Sequence, residues 1–105
     1  MRRARVYCRG ILAGILEKDR GRYQFQYLPE YLQSSEPAIS LTLPKREEAY
    51  TSEFLFPFFF GLLAEGENKE LQCRILKIDE NDHFTRLLKT CGGETIGGVT
   101  VREMQ

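Results

Sequence analysis

A catalytic centre needs a nucleophile, a positioned acid or base, a metal, or a cradle for phosphate, and each leaves a recognisable pattern of residues. His83 is the sole histidine of the chain, which rules out any site built on two imidazoles. It follows Asp82, a residue type that caps helices, and an imidazole in a first helical turn is by default solvated rather than a proton shuttle. Ser34, Ser35 and Ser52 lie in polar stretches, not at the strand-to-helix elbow that exposes a nucleophilic serine. The acidic pairs Glu47-Glu48 and Asp79-Glu80 have no further ligand at metal-binding spacing. Gly92 with Gly93 and Gly97 with Gly98 precede a strand pattern, whereas a phosphate loop opens a helix. Cys8, Cys73 and Cys91 are odd in number and share no metal-ligand spacing, so reduced, mostly buried thiols are expected. The residues therefore predict a protein that is not an enzyme and takes no cofactor and no metal.

Binding is the remaining class of function. Tyr23, Phe25 and Tyr27 alternate along one strand and are able to stack on bases, and Arg2, Arg3, Arg5 and Arg9 are able to meet phosphates. A nucleic-acid-binding module is accordingly one alternative. Against it, 15 basic and 15 acidic residues cancel, so no net field draws in a polyanion. The same aromatics also have to pack on something, and the phenylalanines at 54, 56, 58, 59 and 60 are their natural partners.

The elements that would position any site follow from periodicity. The chain of 105 residues fits a single domain, residues 1–105. Residues 6–16 are apolar but broken by Gly10 and Gly14, which predicts two short strands or one bent strand near 4–17. A polar turn at 18–21 leads to a strand at 22–27 with one aromatic face. Pro29 opens a helical turn. Ile39, Leu41 and Leu43 alternate with Ser40 and Thr42, predicting a strand near 38–43 that Pro44 ends, and residues 45–52 read as an exposed loop. Helices are expected near 54–64, buried on most faces; near 69–79, capped by Asn68 with Leu71, Ile75 and Ile78 inward; and near 83–91, capped by Asp82 with Phe84, Leu87, Leu88 and Cys91 inward. A closing strand near 97–103 completes an α+β fold, a mainly antiparallel sheet packed with short helices. The apolar stretch at 11–16 is too short for a signal sequence or a membrane helix, so the expected location is the cytoplasm, with no membrane contact.

Four segments in order carry a resemblance: Phe25-Gln26-Tyr27; Ile39-Ser40-Leu41-Thr42-Leu43-Pro44; Phe58-Phe59-Phe60-Gly61-Leu62-Leu63-Ala64-Glu65-Gly66; and Gly97-Gly98-Val99-Thr100-Val101. They resemble the N-terminal subdomain of HipA-type serine/threonine kinases. That family has an F-x-Y strand, an S-L-x-L-P strand end, an F-F-x-x-L-L-P-E-G segment and a closing G-A/G-V-x-V strand at similar separations. HipA kinases continue into a core with an ATP loop, a catalytic aspartate and metal ligands. No residue of this sequence matches those, so none takes a kinase role. The likeness is closest to the stand-alone antitoxin form of the subdomain, the HipS type of three-component HipBST systems.

The resemblance implies an antitoxin-type interaction protein that binds and inhibits a HipT/HipA-like kinase in trans, in one complex with a HipB-like DNA-binding protein. The expected contacts are Glu65, Gly66, Glu67, Asn68 and Lys69, then Ser40, Leu41 and Pro44 with Phe56 and Phe59. No direct contact with nucleic acid is implied. Two departures bear on this: Ala64 replaces the family's proline, and Glu67-Asn68 is polar where some members carry a bulky apolar group. Contact at this turn is therefore expected through Glu65 and Glu67 with cationic or metal-binding groups. A structural remnant of a kinase is the other alternative.

Overall fold

The structure is a computed structural model and describes residues 2–63, 65–91 and 98–104. The chain begins as two antiparallel hairpins. Strand β1 (Arg2–Cys8) turns through Arg9 and Gly10 into β2 (Ile11–Asp19), which turns through Arg20 and Gly21 into β3 (Arg22–Tyr27). Both two-residue turns have positive φ at both positions, the arrangement whose twist matches that of the flanking strands. Helix α1 (Pro29–Gln33), strand β4 (Tyr50–Ser52), helices α2 (Pro57–Phe60), α3 (Gly66–Leu76) and α4 (His83–Thr90), and strand β5 (Val99–Glu103) follow. The sheet runs β4-β3-β2-β1-β5 with every neighbour antiparallel, and the α+β expectation holds.

Alternation decides which face of the sheet is core. Ala4, Val6 and Cys8, then Tyr23, Phe25 and Tyr27, then Val99 and Val101 are buried. Phe59 of α2 meets the Phe25 ring at 5.7 Å, and Phe84 of α4 meets Tyr23 at 6.3 Å. Opposite Val6 and Tyr7 the register of β2 slips by one residue, which leaves both Ala13 and Gly14 buried. The glycine thus marks a bulge, as expected of a glycine in a strand.

The expected strand near 38–43 is absent. Ile39 and Leu43 are buried, but a tight turn between Ser40 and Leu43 leaves Leu41 wholly exposed. Side-chain hydroxyls replace the ladder: Tyr27 donates to the Leu43 carbonyl and accepts the Ile39 N–H, Tyr31 donates to the Pro37 carbonyl at 2.7 Å, and Tyr50 donates to that of Pro44 at 2.6 Å. Lys45 adds two bonds, each 2.9 Å, to the carbonyls of Ser34 and Glu36. Tyr27→Phe would strand a buried carbonyl and a buried N–H, costing roughly 1–3 kcal/mol. In urea unfolding, Tyr50→Phe should cost less, because its bond is exposed. Equal costs would show that the Tyr27 hydroxyl is not the pin.

Further differences concern edges and helices. Residues 50–52, read as loop because they lack an apolar period, form the edge strand β4 against β3. The helix expected near 54–64 contracts to α2, and Phe54 and Phe60 of that segment are 77% and 41% exposed. Helix α3 begins at Gly66, three residues early, so Asn68 lies inside its first turn instead of capping it. It buries Cys73, while Leu71 and Ile75 are 53% and 67% exposed. Cys73 lies about 200° round the axis from both, so burying it turns those two outward. Lys77, left-handed at φ 57°, ends α3, with the Ile78 N–H on the Cys73 carbonyl at 2.9 Å. Helix α4 is as expected: Asp82 accepts the Thr85 N–H at 3.1 Å, and Phe84, Leu87 and Cys91 are buried with Leu88 packed against them. All three cysteines are buried free thiols. Ala64, the turn at Gly92 and Gly93, and Gly97 lie outside the described residues.

Candidate partner-binding surface

Two of the expected contact segments reach solvent. At the start of α3, Glu65, Gly66, Glu67 and Asn68 are exposed and Lys69 is half-buried. No side chain caps this end; the Lys69 N–H reaches the Glu65 carbonyl at 3.4 Å. Beside it lies a cavity of about 260 Å³ lined by Phe60, Leu63, Glu65, Gly66, Lys69 and Arg86. The Arg86 guanidinium, almost wholly buried, contacts the His83 Nδ1 at 3.2 Å and the Glu80 carbonyl at 3.4 Å, and the Phe60 ring stands edge-on to the imidazole at 5.0 Å.

Burial, then the charges of Arg86, Lys69 and Lys18, hold His83 below its ordinary 6.5, against the pull of Asp82. The folded state thus favours neutral imidazole. Its contribution to stability is complete above pH 6.5 and declines as pH falls through that value toward the folded pKa. Urea midpoints measured from about pH 7 to about pH 5 should fall less in His83→Gln than in the parent; equal slopes would remove His83 as the cause.

The second segment is the turn at 40–43. The Ser40 Oγ accepts the Thr42 N–H at 3.1 Å and lies 2.9 Å from the Thr42 Oγ1, and the Leu43 N–H closes the turn on the Ser40 carbonyl at 3.1 Å. Leu41 stands at its tip with its whole surface in water, and Pro44 is exposed beside it. Tyrosines 27 and 50 hold the turn from below. The hydrogen bonds and cavity neighbours of the two segments share no residue, so each rests on its own support.

Phe56 and Phe59 do not join them. Phe59 is fully buried and Phe56 is 7% exposed, their rings 6.3 Å apart; both serve the core and offer a partner no surface. Other apolar side chains do reach solvent, among them Phe54, Phe60, Leu71 and Ile75, although periodicity predicts Leu71 and Ile75 inward and the segment 54–64 buried on most faces.

Most of the features that suggested nucleic-acid binding are engaged elsewhere. Tyr23, Phe25 and Tyr27 are buried and present no stacking face. Arg2 pairs with Glu103 at 3.3 Å and bonds the Thr85 hydroxyl at 2.7 Å, and Arg3 pairs with Glu17 at 3.0 Å. Among the described residues no three of His, Cys, Asp or Glu are grouped to hold a metal, and no helix is long and apolar enough to cross a membrane.

Comparison with known proteins gives concordant results. The family model of the HipA N-terminal domain matches residues 4–102. A protein of Haemophilus influenzae whose function is uncharacterised is 32% identical over 103 residues, covering 98% of this chain and 93% of that one. A solved structure described as the N-terminal domain of HipA toxin superposes with a TM-score of 0.75 at 29% identity, covering 100% of this chain and 94% of the other. With the family model spanning nearly every residue of the sheet and its helices, this chain belongs to the HipA N-terminal domain family.

Proposed function

We propose that the chain is an antitoxin-type interaction module that binds a HipT/HipA-like serine/threonine kinase in trans and inhibits it, in one assembly with a HipB-like DNA-binding protein. The observation that carries this reading is Leu41. An apolar side chain wholly in water contributes nothing to folding, yet tyrosine hydroxyls hold the turn that displays it. A rigid, solvent-exposed apolar tip is suited to filling a pocket on another protein at little cost in ordering. Glu65, Gly66, Glu67, Asn68 and Lys69 supply a second, polar contact, with Ser40 and Pro44 flanking the apolar one. The family supports the reading further, since a solved relative bears the description of part of a toxin. The Haemophilus relative, of which this chain covers 93%, has little beyond the same module.

The test is co-purification with a HipT/HipA-like kinase, followed by assay of that kinase's autophosphorylation and target phosphorylation. Stoichiometric parent protein should suppress both. Leu41→Glu should weaken binding at least about tenfold, the equivalent of about 1.4 kcal/mol, while its unfolding midpoint stays within about 0.5 kcal/mol of the parent. Kinase activity untouched by the parent protein would sink the proposal.

A further inference from the structure

The face of the sheet turned away from the core carries arginines on its β1 and β5 half. Strand register sets the side chains of this face in rows: Gln26, Ile15, Arg5 and Arg102 form one, Gln24, Glu17 and Arg3 the next on one side, and Leu12, Tyr7 and Thr100 the next on the other. Arg5 and Arg102 are direct cross-strand partners, in phase with the Met104 N–H on the Arg3 carbonyl at 3.0 Å, which makes theirs a hydrogen-bonded pair with Cα atoms about 5.5 Å apart. Like charges directly opposite one another weaken a sheet. We propose that this face binds an acidic protein segment, which sets one carboxylate between the Arg5 and Arg102 guanidinium groups and lays an aliphatic side chain against Tyr7 and Leu12.

The charge inventory of the face leaves Arg5 without a counter-ion. Arg3 is matched by Glu17 at 3.0 Å, and Glu103 belongs to the opposite face, on Arg2 at 3.3 Å. Asp19 stands opposite Arg22 at the far end of β2. Glu47 is held at Gln26 of β3, two strand spacings, about 10 Å, from Arg5. Arg5 itself is half-buried and takes no hydrogen bond or ion pair among the described residues, while Arg102 lies over the Tyr7 ring at 5.8 Å. A carboxylate between the two guanidinium groups accepts charge-assisted bonds from both and offsets their repulsion. The neighbours favour a protein over nucleic acid. Glu17 places a negative charge one row from Arg5, which a run of successive phosphates would meet and a single carboxylate would not. Leu12 beside Tyr7 and Ile15 beside Arg5 are half-buried aliphatic groups, a margin that fits an apolar side chain. The balance of 15 basic and 15 acidic residues gives a polyanion no long-range pull.

Ser40, Leu41, Pro44 and residues 65–69 belong to none of these rows, so the proposal does not depend on the surface assigned to the kinase. The test is an NMR titration of the full chain with N-acetylated, C-amidated Ala-Glu-Ala-Leu-Ala, with the Gln counterpart of that peptide, and with oligothymidylate. Saturable shifts are expected at the Arg5 and Arg102 Nε–H groups and the Leu12 methyls with the Glu peptide. The Gln peptide should bind about tenfold more weakly, the loss of one charge-assisted contact. Arg5→Gln and Arg102→Gln should each weaken the Glu peptide several-fold and leave the Gln peptide unchanged, with dispersed spectra showing that the fold is intact. Shifts that do not saturate, that map elsewhere, or that the Gln peptide reproduces at equal affinity overturn the proposal. Oligothymidylate binding this face more tightly than the Glu peptide overturns it in favour of a nucleic-acid surface.

Discussion

Phe59→Ala should destabilise the fold by about 3–5 kcal/mol, a large part of the roughly 5–15 kcal/mol that holds a domain of this size together. The ring is fully buried and lies within 5.2–6.3 Å, centroid to centroid, of three others, those of Phe25, Phe56 and Phe58. Removing it opens a cavity under the middle of the sheet that tilted and edge-on rings cannot close without leaving their own positions. Phe54→Ala is the matched control, because Phe54 is 77% exposed and its loss should register within about 0.5 kcal/mol. Urea unfolding of both variants separates the residues. Similar midpoints would mean that α2 does not anchor the core, and Phe59 would then return as a contact candidate.

Gly14→Val should have an effect of similar size through the opposite defect. A Cβ at this position would stand 2.5 Å from the Gln26 carbonyl oxygen and 2.8 Å from two atoms of the Phe25 ring. The oxygen belongs to the backbone of a paired strand and the ring to the core, so neither yields cheaply. Alanine alone should cost about 1–3 kcal/mol, and the two methyls of valine more. Tm should fall by about 4–8 °C per kcal/mol. Gly10 provides the contrast: a Cβ there meets nothing within 4 Å, but φ is +81°, so Gly10→Ala carries conformational strain of about 1–2 kcal/mol without a clash. If Gly14→Ala melted with the parent, the close approach of β2 and β3 at the bulge would be wrong.

Much of the fold was legible where a single element carries its own signal. The alternation of Tyr23, Phe25 and Tyr27 marked β3 and its buried face; Asp82 with Phe84 and Leu87 marked α4. Both patterns are local, and burial of one face is enough to enforce them. The segment at 38–43 failed for a physical reason. Its alternation is real, but the Tyr27 hydroxyl, on a strand well before it in the chain, takes the Ile39 N–H and the Leu43 carbonyl in place of a strand partner. In α3, the apolar residues at 71 and 75 and Cys73 point to nearly opposite sides, and no local preference chooses between them.

Of the candidate surface, the sequence identified Ser40, Leu41, Pro44 and residues 65–69 through a family likeness, and all but half-buried Ser40 and Lys69 are exposed. It could not distinguish Phe56 and Phe59 from Phe54 and Phe60, since a run of phenylalanines holds no record of which rings face inward. Taken alone, the order of residues determined the α+β class, the aromatic core strand and the capped final helix, because each depends on neighbours a few positions apart. The tertiary structure decided which phenylalanines are core and that Leu41 stands in water. Those outcomes depend on contacts between segments far apart in the chain, where competition for one buried space selects the winner.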